Sequence, residues 1–319
     1  MDKDNIAYNI WLSEKVHHHN DVTMEKAEQI YDQCRRRGIK VISFESDEFP
    51  DSLRIIKDPP RILFCIGDLA LLKNPAIAVV GTRRTSAYGR WIAREIGKTV
   101  ASCGITHVSG MAEGIDSVGH AAVLENGGKS IAVLGTGVDV CFPYSSKKIY
   151  EELKEKGLII SEYVPGTSGY PANFPERNRL ISALAVKVVI VEGALKSGSL
   201  ITARIALEQG KDIYAVPGNI NQPNSIGPNL LISDGAIPIA DPNEIAETLG
   251  IGSIKKYLAQ AKLKGREKEL YELVRADGEI AIDSVCRKMT CATDVLISTL
   301  TALELEGLVE SSGGIIRLK

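Results

Sequence analysis

Six short apolar runs constrain this chain more than any other feature: IAVVG (77–81), ITHVSG (105–110), IAVLG (131–135), LIISE (158–162), VVIVEG (188–193) and IYAVPG (213–218). Segments with helical spacing separate them, at 86–103, about 113–126, 146–156, 178–185 and 199–209. Short β-branched runs in strict alternation with helices fold as a parallel sheet covered on both faces. Five of the six runs end in glycine, so the backbone turns sharply where the strand meets the next element. In a parallel sheet those turns share one edge, and here they carry GTRRTS, SGMAEGID, GTGVD, EGALKSGS and PGNI. Small and hydroxyl residues gathered at that edge build a ligand surface.

The rest of the chain is arranged around this sheet. Two further runs, VISF and ILFCIG between Val41 and Asp68, are expected to add an edge to it. Before them, Thr23 is placed to cap a helix that Gly38 ends, in a small helical unit over residues 1–40. Within that unit three adjacent histidines, His17 to His19, cannot all face one ion, so no metal site is expected there. Arg35 to Arg37 complement the dipole of the helix end. After a polar stretch at 262–265, helices expected at 267–276, 282–288 and 293–306 precede LVES, the turn Gly313-Gly314 and IIRLK, the pattern of a winged helix. The expected organisation is therefore α/β: an extended Rossmann-like parallel-sheet domain over 41–254, the N-terminal unit, and a winged-helix domain over 265–319. No signal-peptide layout or long apolar span is present, and the six cysteines lack metal or disulfide spacing, so a cytoplasmic chain with reduced thiols is expected. A net charge of −2 confines any nucleic-acid contact to a local patch.

The first strand–turn–helix unit, IAVVGTRRTSAYGR (77–90), sets Arg83 and Arg84 beside the start of a helix, which suits a phosphate or leaves two solvated arginines. It lacks the G-x-G-x-x-G of a dinucleotide site. Gly135-Thr136-Gly137 begins that motif, but Val140 stands where its third glycine belongs. Gly128-Lys129-Ser130 ends like a phosphate-binding loop, yet Val123 occupies the first glycine position and a strand follows. No nucleotide cofactor is expected. A second anion site is legible in Lys196, Ser197, Gly198 and Ser199, with Ser199 read as a helix cap. A third basic cluster is Phe174-Pro-Glu-Arg177-Asn178-Arg179, read as a turn that leads into the next helix. Cations from separate segments, two helix starts and an aromatic ring fit a phosphate backbone with room to stack a base.

GTRRTSAYG, VSGMAEGIDSVGH (108–120), FPERNRLIS (174–182), VEGALKSGSLITARIALEQGK (191–211) and VPGNI (216–220) together resemble the DNA-processing protein A family, DprA or Smf, across roughly residues 45–240. The resemblance implies a dimeric, non-enzymatic binder of single-stranded DNA. It also implies loading of RecA recombinase onto incoming DNA during natural transformation or recombination. Carried over by residue, it puts Gly81, Thr82, Arg83, Arg177, Asn178, Arg179 and the Ser197–Ser199 loop in the DNA-phosphate pocket, and matches Ser109, Gly110, Gly114 and Asp116 to a second loop. Asp116 is read as a cap or an arginine partner. The chain departs from the family pattern at FPYSS and at Gly119. The winged helix resembles the family's C-terminal module, but its third helix carries Asp294, Glu304 and Glu306 and no Lys or Arg, so a protein contact is expected there. Homodimerisation is expected near 227–249. The alternative is a Rossmann-like hydrolase of the phosphoribohydrolase type, for which His120 and Asp116 are the available acid–base pair.

Overall fold

The computed structural model describes residues 3–16 and 22–319; the histidine triplet lies outside them. Helices α1 (Lys3–Val16) and α2 (Met24–Arg36) precede β1 (Lys40–Ser43), the one-turn α3 (Asp51–Arg54) and β2 (Ile62–Gly67). The alternating series follows as β3 (Ala76–Val80), α4 (Ala87–Ser102), β4 (Thr106–Ser109), α5 (Ile115–Glu125), β5 (Ser130–Val133), α6 (Lys147–Lys156), β6 (Leu158–Ser161), α7 (Asn173–Leu184), β7 (Ala185–Ile190), α8 (Gly198–Glu208), β8 (Asp212–Ala215), α9 (Pro223–Ser233), β9 (Ile237–Pro238) and α10 (Ile245–Thr248).

The strands form one sheet in the order β1-β2-β6-β5-β4-β3-β7-β8-β9. From β6 to β9 every pairing is parallel, while β1 and β2 run antiparallel at the β6 edge, which is the edge extension the sequence suggests. Alternate residues of a strand face opposite sides, and the burial follows that period. Ile131, Val133 and Ile160 join α3, α7 and α8 in one apolar layer. Ala132, Leu134 and Ile159 join α1, α2 and α6 in the other. The chain runs outward from β3 in one direction through β4, β5 and β6, and from β7 in the other through β8 and β9. The strand order therefore reverses between β3 and β7, where the carboxyl-end turns part and leave a crevice.

Several expectations are corrected. Helices α1 and α2 are not a separate body: Ile6, Ile10, Ala27 and Cys34 share the second apolar layer with Phe64 and Tyr150. The compact units divide at Leu249 and Gly250 instead. The helix expected at 178–185 begins five residues earlier, at Asn173. Helix α9 escapes sequence reading because Gly227 and Pro228 interrupt its helical composition. Its close seat explains the glycine: Gly227 N–H donates to Gly193 O at 2.9 Å, too near for a side chain to intervene.

The second unit comprises α11 (Ile251–Lys262), α12 (Gly265–Asp277), β10 (Glu279–Ala281), α13 (Ile282–Met289), α14 (Thr293–Leu305), β11 (Val309–Ser312) and β12 (Ile315–Leu318). Helices α12 to α14 with the wing β11–β12 make the expected winged helix. Two elements enlarge it. Strand β10 pairs with β12, and α11 buries Ala259 in the unit's core with Leu263, which follows it.

Candidate functional site

At the β3–β7 reversal the turns enclose a depression of about 610 Å³. The expected residues Gly81, Thr82, Arg83, Phe174, Arg177, Asn178, Ser197, Gly198 and Ser199 all line it. Gly110 lines an adjoining hollow of about 210 Å³ that shares Arg83, Phe174 and Arg177. Three further expected residues line neither space. Ser109 is fully buried and donates its hydroxyl to Val79 O at 2.8 Å, tying β4 to β3. Lys196 is exposed on the loop before α8 but outside the lining. Arg179 faces away altogether.

The divergence of Arg177 and Arg179 follows from the early start of α7. On a turn the two side chains are free to converge, but on a helix residues two apart point about 200° apart around the axis. Arg179 pairs with the buried Glu162 at 2.6 Å and lines a different hollow, beside Lys211 and Ser52. Arg177 is turned inward. Its Nη1 donates to Gly110 O at 2.8 Å and to Val133 O, joining the ends of β4 and β5, while its buried Nε has no partner. Burial lowers its pKa to about 10, against the stabilising charge of Asp116. Asp116 accepts from Gly110 N at 3.1 Å, and burial pushes its carboxyl above the usual range, opposed by Arg177, the Gly110 and Ala112 N–H groups and Ser109. Arg177 thus supplies fixed positive charge beneath the floor, and Arg83 is the exposed cation above it.

The helix starts also differ from expectation. Ser86 caps α4 by accepting from Gly89 N at 2.9 Å. The space beyond it is filled by the buried Glu192, whose carboxylate accepts from Ser86 N at 2.9 Å, Ser86 Oγ at 2.5 Å and Thr85 Oγ1 at 3.0 Å. An anion already occupies this helix start, so phosphate at the β3–α4 turn must be met by side chains. At α8 the cap is Ser197, not Ser199: Ser197 Oγ accepts from Ser199 N at 3.4 Å, and the two hydroxyls lie 2.8 Å apart. That end opens on the depression.

Sequence reading missed two members of the site. Glu192 is the acid of VVIVEG, the one run whose turn begins with a carboxylate beside glycine. Phe142 comes from FPYSS, the departure noted above. Its ring stacks on Phe174 with centroids 5.4 Å apart and planes at 29°, and the Arg83 guanidinium lies 5.5 Å from the Phe174 centroid. An exposed cation beside two stacked rings offers a phosphate contact and a stacking surface within one depression.

Of the acid–base pair of the hydrolase alternative, Asp116 borders this space and His120 does not. His120 is fully buried edge-to-face against His107, at 4.7 Å. Both Nδ1 atoms contact Ser130 Oγ, at 2.7 and 2.8 Å, and neither Nε2 has a partner. Burial lowers the pKa of His107 to about 3 and holds that of His120 well below the usual value, so both rings stay neutral. Among the described residues no group of His, Cys, Asp and Glu is placed to hold a metal ion, and no helix is long and apolar enough to cross a membrane.

Comparison with known proteins finds relatives of the sheet domain. The family profile described as DNA recombination-mediator protein A matches residues 40–250. Protein Smf of Escherichia coli is 44% identical over 213 residues, a match that covers 66% of this chain and 57% of the E. coli protein. The crystal structure of DNA processing protein A from Streptococcus pneumoniae superposes with a TM-score of 0.65 at 34% identity, covering 77% of this chain and 93% of that one. The corresponding Helicobacter pylori protein, whose structure addresses its single-stranded DNA binding mode, gives 0.61 at 32% identity over 66% of this chain and 95% of its own.

Proposed function

The chain belongs to the DNA recombination-mediator protein A family, and from that footing we propose that it binds single-stranded DNA at the β3–β7 depression. The observation that carries this reading is the convergence of Arg83, the Phe174–Phe142 stack and the open start of α8 on one space. A backbone phosphate sits against Arg83, at the open start of α8 and above the buried charge of Arg177. A base stacks on the phenylalanines. Duplex DNA is disfavoured because paired bases cannot reach the rings. On the same reading the protein is cytoplasmic, acts as a homodimer and delivers its strand to a RecA-type recombinase during transformation or recombination. Family membership supports these last roles. The winged helix, with no basic residue on α14, serves a protein contact.

Titration with labelled oligothymidine tests the site. Single strands should bind more tightly than duplex, with log K falling against log salt by about 0.7 per phosphate neutralised. Arg83→Ala should weaken binding and flatten that slope. An unchanged slope removes Arg83 from the phosphate contact. Recombinase loading is tested by RecA filament growth on DNA coated with single-strand-binding protein, where no stimulation would leave only DNA binding. Steady release of base or phosphate from nucleotides would favour the hydrolase instead. The buried His120 and the N–H-bonded Asp116 argue against that outcome.

A further inference from the structure

A second depression, of about 600 Å³, lies on the other side of the β3–α4 turn, between the start of α4 and the loop that joins β8 to α9. Residues 82–86 are the partition. Asn224 Nδ2 donates to Arg84 O at 2.8 Å and Thr82 N donates to Glu192 O at 2.8 Å, so the wall is fixed to both neighbouring loops. Arg84 stands exposed on that wall, and no ion-pair partner for it occurs among the described residues.

The two depressions differ in chemistry. No lysine or arginine lines the second one. Ser86, Asn219, Gln222 and Asn224 supply neutral donors and acceptors, and the buried Glu192 carboxylate beneath them opposes a phosphate. The side-chain amides of Asn219 and Gln222 are exposed and have no protein partner among the described residues. Tyr88 forms one flank: its hydroxyl donates to Pro217 O at 3.0 Å while the residue remains 43% exposed. Trp91, 46% exposed, lies 6.0 Å from that ring along α4, with Arg90 and Arg94 exposed beside it. A hollow without cations of its own, with free amides and an aromatic flank, bordered by cations, fits a flat hydrogen-bonding group joined to a charged backbone. A nucleobase has that chemistry.

We propose that the second depression receives a base of the same single strand whose phosphate is held at Arg83, the backbone crossing the partition over Arg84. This rests on the DNA-binding reading above and adds to it a direction of travel and a second contact that carries no charge.

The test is a titration of the full-length protein with labelled oligothymidines of increasing length. Tyr88→Ala, Tyr88→Phe, Asn219→Ala and Arg83→Ala are compared with the unaltered chain. Oligomers that fill only the first depression should bind Tyr88→Ala and the unaltered protein alike. Longer ones should bind Tyr88→Ala about five- to a hundredfold more weakly, with the salt slope unchanged, because a stacking ring is lost and no charge. Tyr88→Phe should keep most of the affinity. Asn219→Ala, at an exposed loop position where folding is not at stake, should show a smaller loss at the same lengths. Affinities equal to the unaltered protein's at every length for both Tyr88→Ala and Asn219→Ala, with Arg83→Ala still impaired, overturn the second contact alone. Loss of single-strand preference in the unaltered protein, with Arg83→Ala silent, overturns the underlying reading as well.

Discussion

At the residue scale the site is organised by what its glycines leave empty. A Cβ on Gly110 would lie 2.4 Å from Arg177 Nη1, so the guanidinium fits only because this position has no side chain. Gly110→Ala should displace Arg177 from two carbonyls, costing about 1.5–3 kcal/mol and weakening DNA binding together; urea denaturation and titration of the one variant check both. Gly114, at φ +83°, has a second reason: a Cβ there would meet Thr82 O at 2.2 Å. The buried histidines give a pH dependence. Their folded pKa values lie below the unfolded value of about 6.5, so the unfolded chain binds the extra protons. Their contribution is intact above about pH 6.5 and is lost as pH falls, by up to about 2.7 kcal/mol per pH unit for two protons. Asp116, raised by burial, works in the opposite sense, so the comparison that isolates the histidines is His107→Asn with His120→Asn. Denaturation midpoints measured between about pH 7 and pH 5 should fall less steeply in that double variant, and parallel curves would remove the histidines as the cause.

At the scale of elements, small shifts in helix phase and capping decide which groups meet the ligand. Starting α7 at Asn173 sends Arg177 inward and Arg179 to Glu162, although both belong to one basic cluster in the sequence. Filling the α4 start with Glu192 converts an apparent anion site into a structural joint between β7 and α4. Glu192→Ala should therefore destabilise the domain by about 1–3 kcal/mol, because it takes the charged acceptor from Thr85 and Ser86. Thermal or urea unfolding checks this, and stability equal to the unaltered chain's would mean that water replaces the carboxylate without loss.

For the whole molecule, both depressions belong to the unit that ends at Leu249, and the family profile ends at residue 250. A chain shortened to residues 1–249 should fold and bind oligothymidine within about twofold of the full-length protein, since no contact of either depression is removed. A large loss of affinity on shortening would place DNA contacts in the winged-helix unit, against the charge of α14.

Most of the strands, their alternation with helices, the added edge and the winged helix were legible in sequence because each rests on a local period of apolar residues. That Gly81, Thr82, Arg83 and the Ser197–Ser199 loop border one depression was legible because motif and turn position coincide there. Local sequence could not show that Arg177 is buried under Gly110, that Arg179 is paired with Glu162, that Glu192 occupies a helix start, or that Phe142 stacks on Phe174. Each of these depends on residues at least seventeen positions apart. The sequence by itself determined which elements form and which turns meet at one edge, since strand and helix periods are properties of neighbouring residues. Only the tertiary structure decided which charges at that edge remain open to a ligand, because burial and pairing depend on what the fold brings alongside each side chain.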